Sequence, residues 1–423
     1  MAERNAHAFS PEPTDVTTDA ETSDRFEEPR LTSRMLRIVE TLVRRTPVGS
    51  LDLTLPDGRR IEHRGAQPGP HAVVHVKDAR FADMVLREGT CGLGEAYMAG
   101  YYETQSVAAL VEWGARNREA IERIIEGSPV ARTLRTIWLL LTRANSRRGS
   151  RRNIVRHYDL GNAFYERWLD PTMTYSSAVF DATTQDLAAA QENKYRHVAR
   201  AGALEPAHEV LEIGCGWGGF ASFAAREIGC RVTAITISPS QFAFASARVQ
   251  REGLGERVEV RLQDYRDVEA GRFDRIASIE MFEAVGESYW PIYFRKLRGA
   301  LKPGGVAALQ VITIADQLFD SYRRSADFIQ KHIFPGGMLP SPQVLREETA
   351  RAGLAWRGDA GYGLDYARTL ATWQERFQQA WPEIAPLGYD RRFKRMWEFY
   401  LAYCEGGFRA GSIDVKQVTL QRT

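Results

Sequence analysis

The chain has 423 residues, of which 44% are hydrophobic and 26% are charged, as is typical of a globular protein with two or three domains. Its 56 basic residues nearly balance its 54 acidic residues, which leaves a formal net charge of +2. This balance excludes a dedicated nucleic-acid-binding protein, so we expect no nucleic-acid partner.

The cysteines and the apolar segments narrow the class of protein further. The four cysteines form no CxxC pair and have no histidine cluster near them. We therefore expect neither disulfides nor a metal site, as is usual for a protein of the reducing cytoplasm. The N-terminal residues lack the apolar core of a signal peptide, and no apolar run approaches the ~20 residues of a membrane-spanning helix. We expect no transmembrane segment, whereas binding to a membrane surface stays open.

The first part of the chain has the pattern of a small domain. Residues 1–30 are polar and are predicted to form a disordered tail. A helical pattern starts near Thr32, and alternating residues around a Pro-Asp-Gly turn then indicate a β-hairpin. A strand and a helix follow, and after the string "GLGEAYMAGYYE" the pattern predicts a helix over Val107–Arg116. We therefore predict a small α+β domain over residues 31–117.

The segment 118–156 connects this domain to the rest of the chain. Residues 118–142 are predicted to be helical, and the string "VARTLRTIWLLLTR" makes the second half of this helix amphipathic. Six arginines follow between Arg143 and Arg156. The segment is either a solvated basic linker or an interfacial helix with a polybasic strip for anionic phospholipid headgroups.

From Glu209 onwards, strand and helix patterns alternate. The strand patterns are "HEVLEIGC", "CRVTAITIS", "RVEVRLQDY", "FDRIASIEMFEAV" and "VAALQVITI". This alternation predicts an α/β fold with a mostly parallel, doubly wound sheet that helices cover on both faces. In such sheets, ligands bind beyond the carboxyl ends of the strands.

The string "VLEIGCGWGG" (210–219) is the first strand-to-helix turn of this pattern. It lacks the GK[ST] of a P-loop, and although Gly214, Gly216 and Gly219 fit the GxGxxG spacing, Glu212 would repel a pyrophosphate. An acid beside closely approaching backbone suits a ligand with a cationic, amino-bearing centre, such as S-adenosylmethionine (SAM). Glu212 is thus a candidate cofactor-binding residue. The alternative is an ordinary tight turn after a buried strand.

This turn and several further strings resemble the cyclopropane-fatty-acyl-phospholipid synthase family of class I SAM-dependent methyltransferases. The strings occur in family order and are "HYDLGNAFYERWLDPTMTYSSAVF", "AITISPSQ", "QDYRD", "MFEAVG", "KPGG", "IQKHIFPGGMLPS", "YARTL" and "GGFRAGSIDVKQ". The string "GLGEAYMAGYY" is similar to the N-terminal domain of the family. The resemblance implies a Rossmann-like methyltransferase domain over residues 157–423, with a lipid-covering insertion at about 315–410. It also implies SAM contacts from Tyr175, Ser176, Gly214, Gly216, Thr236, Ile237, Gln241, Gln263 and Asp264.

The reaction that the resemblance implies is methylation of a carbon–carbon double bond in an unsaturated acyl chain of a membrane phospholipid. The alkene is a poor nucleophile, so it must be held in line with the methyl group and away from water. Aromatic faces can stabilise the carbocation that results, and a base must then remove a proton. We expect two or three of nine aromatic candidates to line the site: Tyr175, Phe282, Tyr289, Trp290, Tyr293, Tyr322, Phe328, Phe334 and Tyr366.

In the cyclopropane synthases that the chain resembles, this base is a bicarbonate ion held by five groups. The resemblance implies a similar site here. Glu283, Tyr366 and the backbone of Ile312 match the family pattern. Ser177 replaces a cysteine and Gln310 replaces a histidine, while Ala284 replaces a histidine that often follows the glutamate. Serine and glutamine also donate hydrogen bonds, so bicarbonate stays open as a cofactor.

The departures resemble a neighbouring branch, the methyltransferases that turn oleoyl lipids into 10-methylene intermediates of 10-methyl branched fatty acids. Glu280 stands three residues before Glu283 and is an additional acid at a strand end. A paired carboxylate has a raised pKa and can itself act as a base. The alternative, which the sequence alone favours, is that Glu280 caps a helix or pairs with an arginine.

The sequence therefore predicts a SAM-dependent lipid C-methyltransferase of the cyclopropane synthase type, with a methylene-branched product as the alternative. The catalytic candidates are Ser177, Glu280, Glu283, Gln310 and Tyr366. A small-amine N-methyltransferase also stays open, because plant enzymes of that kind share this catalytic domain, and so does a non-catalytic membrane-binding protein. We expect a cytoplasmic homodimer that acts on unsaturated phospholipid as a peripheral protein at the inner face of the membrane.

Overall fold

The computed structural model describes residues 28–126, 160–183, 186–324 and 326–423. Most of the predicted tail, the second half of the amphipathic helix and the arginine-rich linker lie outside the described residues. Among the helices of the described ranges, none is both long enough and apolar enough to cross a membrane.

The N-terminal domain is a four-stranded sheet with helices packed against it. Its strands are β1 (Val48–Thr54), β2 (Arg60–Arg64), β3 (Gln67–Val76) and β4 (Tyr102–Thr104). Its helices are α1 (Glu28–Arg44), α2 (Arg80–Ala99), α3 (Val107–Arg116) and α4 (Arg118–Glu126). The strand order is β2-β1-β3-β4, and β1 pairs with β2 as the predicted hairpin. Alternate residues of β1 point inward, so Leu51 and Leu53 are buried.

Helix α2 is longer than the sequence predicts, because the glycine-rich string after the predicted helix is also helical. The helix bends at Gly89, whose φ of +58° favours glycine. Gly94 stays in the helix because a side chain there would overlap the rings of Phe328 and Phe399. These glycines permit a bend and a close approach within one helix.

The second domain is built on a seven-stranded sheet. Its strands are β5 (Glu209–Ile213), β6 (Arg231–Thr236), β7 (Val258–Leu262), β8 (Phe273–Ile279), β9 (Leu301–Ile314), β10 (Leu354–Gly361) and β11 (Ile413–Arg422). The strand order is β10-β11-β9-β8-β5-β6-β7, with β5 to β9 parallel and the last two strands antiparallel. The predicted α/β fold with a mostly parallel sheet is confirmed, and two antiparallel strands extend it.

Helices cover this sheet, and several begin at the capping residues that the sequence provides. They are α5 (Asn162–Tyr165), α6 (Leu187–Ala201), α7 (Gly219–Phe223), α8 (Pro239–Arg251), α9 (Trp290–Ala300), α10 (Asp316–Arg324), α11 (Pro342–Arg351), α12 (Gly363–Ile384) and α13 (Arg391–Arg409). The Ser238 side chain, for example, accepts a hydrogen bond from the amide of Gln241 and caps α8. The predicted insertion at about 315–410 contributes α10 to α13 and also the edge strand β10.

The strand order reverses between β5 and β8, because β6 and β7 continue the sheet on one side and β9 on the other. Open α/β sheets bind ligands in the crevice beyond the carboxyl ends of the strands at such a point. Gly214 follows β5 and Glu280 follows β8. A Cβ atom at Gly214 would lie 2.7 Å from the side chain of Met281, so the two turns are in contact. The crevice therefore brings the predicted SAM turn beside the predicted carboxylates.

The two domains pack closely against each other through α3 and α13. A Cβ atom at Gly406 of α13 would lie 2.7 Å from the carbonyl oxygen of Ala108 in α3. Arg116 also donates a hydrogen bond to the carbonyl oxygen of Arg409. Residues of both domains consequently share one hydrophobic core.

An ion-pair cluster forms a second contact between the domains. Glu95 of α2 lies 2.5 Å from the ammonium group of Lys331 and 2.9 Å from the imidazole of His332. Cys91 lies beside them, so three side chains that could bind a metal are close together. Because Lys331 already pairs with Glu95, we assign the cluster to domain packing.

Candidate active site

The turn after β5 has the conformation and the open space that the SAM interpretation requires. Gly214 and Gly216 have φ values of +80° and +52°, which favour glycine. The amides of Gly214 and Cys215 donate to the carbonyl oxygen of Ile235 and so fix the turn against β6. A Cβ atom at Gly216 would meet nothing within 4 Å, so a ligand can approach the main chain there.

The neighbouring ends of β6 and β7 present apolar side chains to the solvent. Ile237 is 67% exposed and Leu262 is 52% exposed, which is unusual for large hydrophobic residues. Leu262 pairs with Thr236 across the two strands, so the exposed side chains are close neighbours. We propose that the adenine ring of SAM covers both, because burial of this apolar surface would favour binding.

The polar residues predicted near this end of the site also stabilise their own turns. The Thr236 hydroxyl donates to Oε1 of Gln241 at 2.9 Å, and the Gln263 side chain donates to the carbonyl oxygen of Asp267. Asp264 pairs with Arg266 at 2.6 Å, and this hydrogen bond lowers the pKa of the Asp264 carboxyl. Their direct contacts with SAM stay predictions.

We predict that Gly214→Ala weakens SAM binding by roughly tenfold or more. The substitution places a side chain at positive φ, which costs about 1–2 kcal/mol, and it forces the new methyl group against Met281. Calorimetric titration with SAM measures the effect. Gly299→Ala is the matched control, because this residue of α9 has nothing within 4 Å of an added Cβ atom. Unchanged affinity in a folded Gly214→Ala protein would contradict the assigned turn.

Tyr175, Ser176 and Ser177 lie in one irregular segment before α6. The hydroxyl of Tyr175 is 2.6 Å from that of Tyr400. The Ser176 hydroxyl accepts a hydrogen bond from the ammonium group of Lys194 at 2.6 Å. The Ser177 hydroxyl donates to the carbonyl oxygen of Ala178, so it is the Ser177 amide, and not its side chain, that reaches the site.

Lys194 is a completely buried cation behind this segment. Burial lowers the pKa of its ammonium group to about 8, while Glu280, Asp170 and Glu212 raise it by their charges. Burial likewise raises the pKa of Glu212 to about 8, against the opposing effects of Lys194 and the Ala221 amide. Lys194 therefore provides a positive charge near the Glu212 carboxyl, which favours its ionised form. A contact between Glu212 and SAM stays a prediction.

Glu280 is held in a strained conformation directly after β8. Its φ of +49° is uncommon for a residue other than glycine and costs about 1–3 kcal/mol. Its carboxylate accepts hydrogen bonds from the Ser177 amide at 2.8 Å, the Gln310 side chain at 2.7 Å and the Tyr366 hydroxyl at 2.6 Å. None of these donors is an arginine and Glu280 caps no helix, so the interpretation that the sequence favoured is wrong. Strain that the surroundings maintain in this way is typical of functional residues.

Glu283 is the second carboxyl group of the site, and it has a different environment. Its Oε1 atom accepts a hydrogen bond from the Ile312 amide at 2.5 Å, whereas its buried Oε2 atom has no hydrogen-bond partner among the described residues. Burial and the charge of Glu280 raise the pKa of Glu283 to about 8. Burial also raises the pKa of Glu280, but its three donors oppose that change. The three donors around Glu280 therefore favour the negative charge of the pair on Glu280 and not on Glu283, whose Oε2 atom has no partner among the described residues.

The groups that would hold bicarbonate are engaged by these two carboxyl groups. Gln310, Tyr366 and the Ser177 amide bind Glu280, and the Ile312 amide binds Glu283. Gln310 is also fixed by Gln417, whose side chain donates to it at 3.0 Å. The donors present do not fit a bicarbonate ion unless Glu280 leaves their network.

A cavity of about 670 Å³ adjoins Glu280 and Glu283. Four of the nine aromatic candidates line it: Tyr175, Tyr322, Phe334 and Tyr366. Four more, Phe282, Trp290, Tyr293 and Phe328, are buried in packing clusters, and Tyr289 is 41% exposed. Aromatic faces are thus present beside the carboxylates, as stabilisation of a carbocation requires.

Comparison with known proteins identifies the family. The family profile described as mycolic acid cyclopropane synthetase matches residues 145–418. The chain belongs to this family. The tuberculostearic acid methyltransferase UfaA1 of Mycobacterium tuberculosis is 39% identical over 408 residues, which are 91% of each chain. The cyclopropane-fatty-acyl-phospholipid synthase of Escherichia coli K12 is 38% identical over 351 residues, which are 83% of this chain and 88% of its own.

Solved structures agree with this assignment. The cyclopropane synthase MmaA2 of M. tuberculosis matches with a TM-score of 0.60 and 30% identity, over 64% of this chain and 98% of its own. The mycolic acid cyclopropane synthase CmaA1, in its complex with SAH and CTAB, matches with the same values. The protein is a SAM-dependent methyltransferase with the class I fold, and both predictions are confirmed.

Several residues of the site have no signal in the sequence. Lys194 lies within the ordinary helical string "LAAAQENKYRHVARA", which does not indicate that this lysine is buried. Leu262 precedes the predicted pair Gln263 and Asp264, and only its exposure reveals it as a candidate adenine contact. Gln417 comes from β11, whose place beside β9 could not be predicted from the sequence.

Proposed function

We propose that the protein methylates the double bond of an unsaturated acyl chain in a membrane phospholipid, with SAM as the methyl donor. The observation that carries the proposal is the position of Glu280 and Glu283, which lie between the SAM turn and a large, mostly apolar cavity. A hydrocarbon substrate needs such a cavity, and a carbocation formed within it needs a base that is shielded from water.

The residues of the site have distinct roles in this reaction. Bound SAM supplies an electrophilic methyl group. The cavity walls hold the alkene in line with that group and exclude water. When a carbon of the double bond is methylated, the positive charge forms on the second carbon, and Tyr175, Tyr366 and ionised Glu280 stabilise it. Glu280 then accepts a proton from the added methyl group.

The first candidate product is a cyclopropane. In this case the methyl group loses its proton to Glu280 while its carbon forms a bond to the cationic carbon, which closes the ring. The E. coli relative is named as a cyclopropane-fatty-acyl-phospholipid synthase, and the family profile that matches the chain is described as a mycolic acid cyclopropane synthetase.

The second candidate is a methylene branch. Here a hydride first moves from the methylated carbon to its cationic neighbour, so that the positive charge lies on the methylated carbon. The methyl group then loses a proton to Glu280, which leaves a C=CH2 group on the chain. The hydrogen bond between Gln310 and Glu280 favours this product. At both positions the chain departs from the cyclopropane synthase pattern, and the two side chains belong to one hydrogen-bonded network. UfaA1, the relative that aligns with 91% of the chain, is named for tuberculostearic acid.

Vesicles of oleoyl and of saturated phospholipid, each with methyl-labelled SAM, test the proposal. We expect label in the acyl chains of the oleoyl lipid alone, because the saturated chain offers no double bond. Mild hydrogenation of the labelled methyl esters then separates the products, since a methylene branch takes up hydrogen and a cyclopropane does not. Label in the saturated lipid, or only in a soluble amine, would contradict the proposal.

The proposal includes a peripheral location at the inner face of the membrane and a homodimer. The arginine-rich sequence between Arg143 and Arg156 supports the first point, because clusters of this kind bind anionic headgroups. Cosedimentation with anionic and neutral vesicles tests it, and we expect binding to the anionic vesicles that salt weakens. Analytical ultracentrifugation tests the dimer.

A further inference from the structure

The cavity beside the catalytic carboxylates is not confined to the methyltransferase domain. It continues into the N-terminal domain, where β1, β3 and the four helices α1 to α4 form its wall. The N-terminal residues that line it are mostly aliphatic, for example Leu42, Leu51, Leu53, Val74, Val85 and Leu86. Its volume of about 670 Å³ lies within the range of ligand sites.

The part of the cavity that Leu51, Leu53 and Val74 line suits a hydrocarbon, whereas Arg118 and Glu122 of α4 form an ion pair elsewhere on its wall. Leu51 and Leu53 are each 3% exposed, and Val74 is 2% exposed. An ester or a phosphate group placed against these side chains would lose its hydration without gaining a hydrogen bond. The end of an acyl chain that fits here is therefore its methyl end, since the ester and the headgroup must stay near water.

Helix α2 lines the cavity on both sides of its bend. Val85 and Leu86 precede Gly89, and Leu93 follows it, and all of them lie on the cavity wall. The bend is stable because Gly89 adopts a φ of +58°, which a residue with a side chain rarely does. The N-terminal domain thus contributes a mostly aliphatic wall to the cavity that Glu280 and Glu283 also line.

The N-terminal domain is not present in every member of the family. The family profile begins at residue 145, so the N-terminal domain lies outside it. MmaA2 aligns over 98% of its own chain while it covers only 64% of this one. A domain that MmaA2 lacks, but that lines the cavity here, is suited to a role in substrate binding.

We infer that the N-terminal domain binds the methyl-terminal arm of the acyl chain, beyond the double bond, and thereby selects the chain length of the substrate. This inference rests on the proposed function. It assigns the domain a place in the substrate site in addition to its packing against α13.

The test is a substitution that shortens the N-terminal part of the cavity. Leu86→Trp adds bulk to the cavity wall, and Met84→Trp is the matched control, because Met84 is equally half-buried on α2 but does not line the cavity. Oleoyl and myristoleoyl phospholipids are the paired substrates, since their chains are identical up to the double bond and differ only beyond it. We expect Leu86→Trp to lower the oleoyl-to-myristoleoyl ratio of kcat/KM by about tenfold. We expect Met84→Trp to leave the ratio unchanged.

The outcomes separate this inference from the proposed function. If the unaltered protein methylates neither lipid, the proposed function fails. If it methylates both, and Leu86→Trp retains the ratio while its SAM affinity and its thermal unfolding match those of the unaltered protein, only the inference is overturned. Val85→Phe, a smaller change on the same wall, provides the same readout if the tryptophan variant does not fold.

Discussion

Glu280→Gln is expected to lower kcat by about 10²–10⁴-fold, the contribution that a general base makes. The amide has nearly the shape of the carboxylate: its oxygen can still accept from the Ser177 amide, and its NH2 group can donate to the Tyr366 hydroxyl. The fold and the affinity for SAM should therefore be retained. Single-turnover methylation of oleoyl phospholipid measures the loss, and calorimetry with SAM provides the binding control.

The pH dependence of kcat, measured for the unaltered protein and for the Glu280→Gln variant, tests whether Glu280 is the base. A base must be deprotonated, so kcat of the unaltered protein should rise as the pH increases through the pKa of Glu280. Burial raises that pKa, so the rise should lie above the usual range of a glutamate. The Gln variant should lack this rise. A variant that keeps both the rise and most of the rate would show that another group is the base.

Comparison with Glu283→Gln distinguishes the two carboxyl groups. Because burial and the charge of Glu280 raise the pKa of Glu283 to about 8, this group is mostly neutral at pH 7, and an amide resembles it closely. We therefore expect a smaller loss, about tenfold or less, than at Glu280. A larger loss for Glu283→Gln would reverse the two roles.

Lys194→Met is expected to reduce the free energy of unfolding by about 3 kcal/mol, because it removes a buried cation from a group of carboxylates. The Ser176 hydroxyl loses its donor, and the Glu280 carboxyl loses the nearby positive charge that lowers its pKa. Urea denaturation at pH 7 measures the change in stability. Since Lys194 lowers the pKa of Glu280, its loss should also move the rise of kcat to higher pH.

Arg196→Met is the matched control for this substitution. Arg196 lies on the same helix as Lys194, but its side chain is 45% exposed and pairs with Glu192 one turn away. Exposed pairs of this kind contribute roughly 0.3–0.5 kcal/mol, so the control should be close to neutral. Equal stability losses in the two variants would show that burial of Lys194 is not important.

The sequence predicts the alternating strands and helices of the parallel sheet. It does not predict strands whose pairing partners are far away in the sequence. Strands β5 to β9 could be predicted because each is an apolar run followed by a helix or a turn. Strands β10 and β11 are separated by two long helices, and their antiparallel pairing leaves no local pattern. In α2, the continuation of the helix through Gly94 could not be predicted, because the rings of Phe328 and Phe399, which require this glycine, belong to the second domain.

The same distinction applies to the site. The SAM turn could be predicted because glycine at positive φ leaves a direct mark on the sequence. The partners of Glu280 could not, because they depend on the register that places Gln310 beside Ile279 and on the contact that brings Tyr366 to the end of β8. The sequence identified Glu280 as a candidate, but its strained backbone and its three donors decide how it acts.

The most direct test of the account is the fate of the deuterium when SAM with a trideuterated methyl group reacts on oleoyl phospholipid vesicles. The account predicts that the acyl chain gains a one-carbon unit that keeps two of the three deuterium atoms, because Glu280 removes one of them for either product. Mass spectrometry of the acyl methyl esters and of the headgroups measures this directly. A methyl group that keeps all three deuterium atoms on a nitrogen, with no label in the acyl chain, would contradict methylation of the double bond.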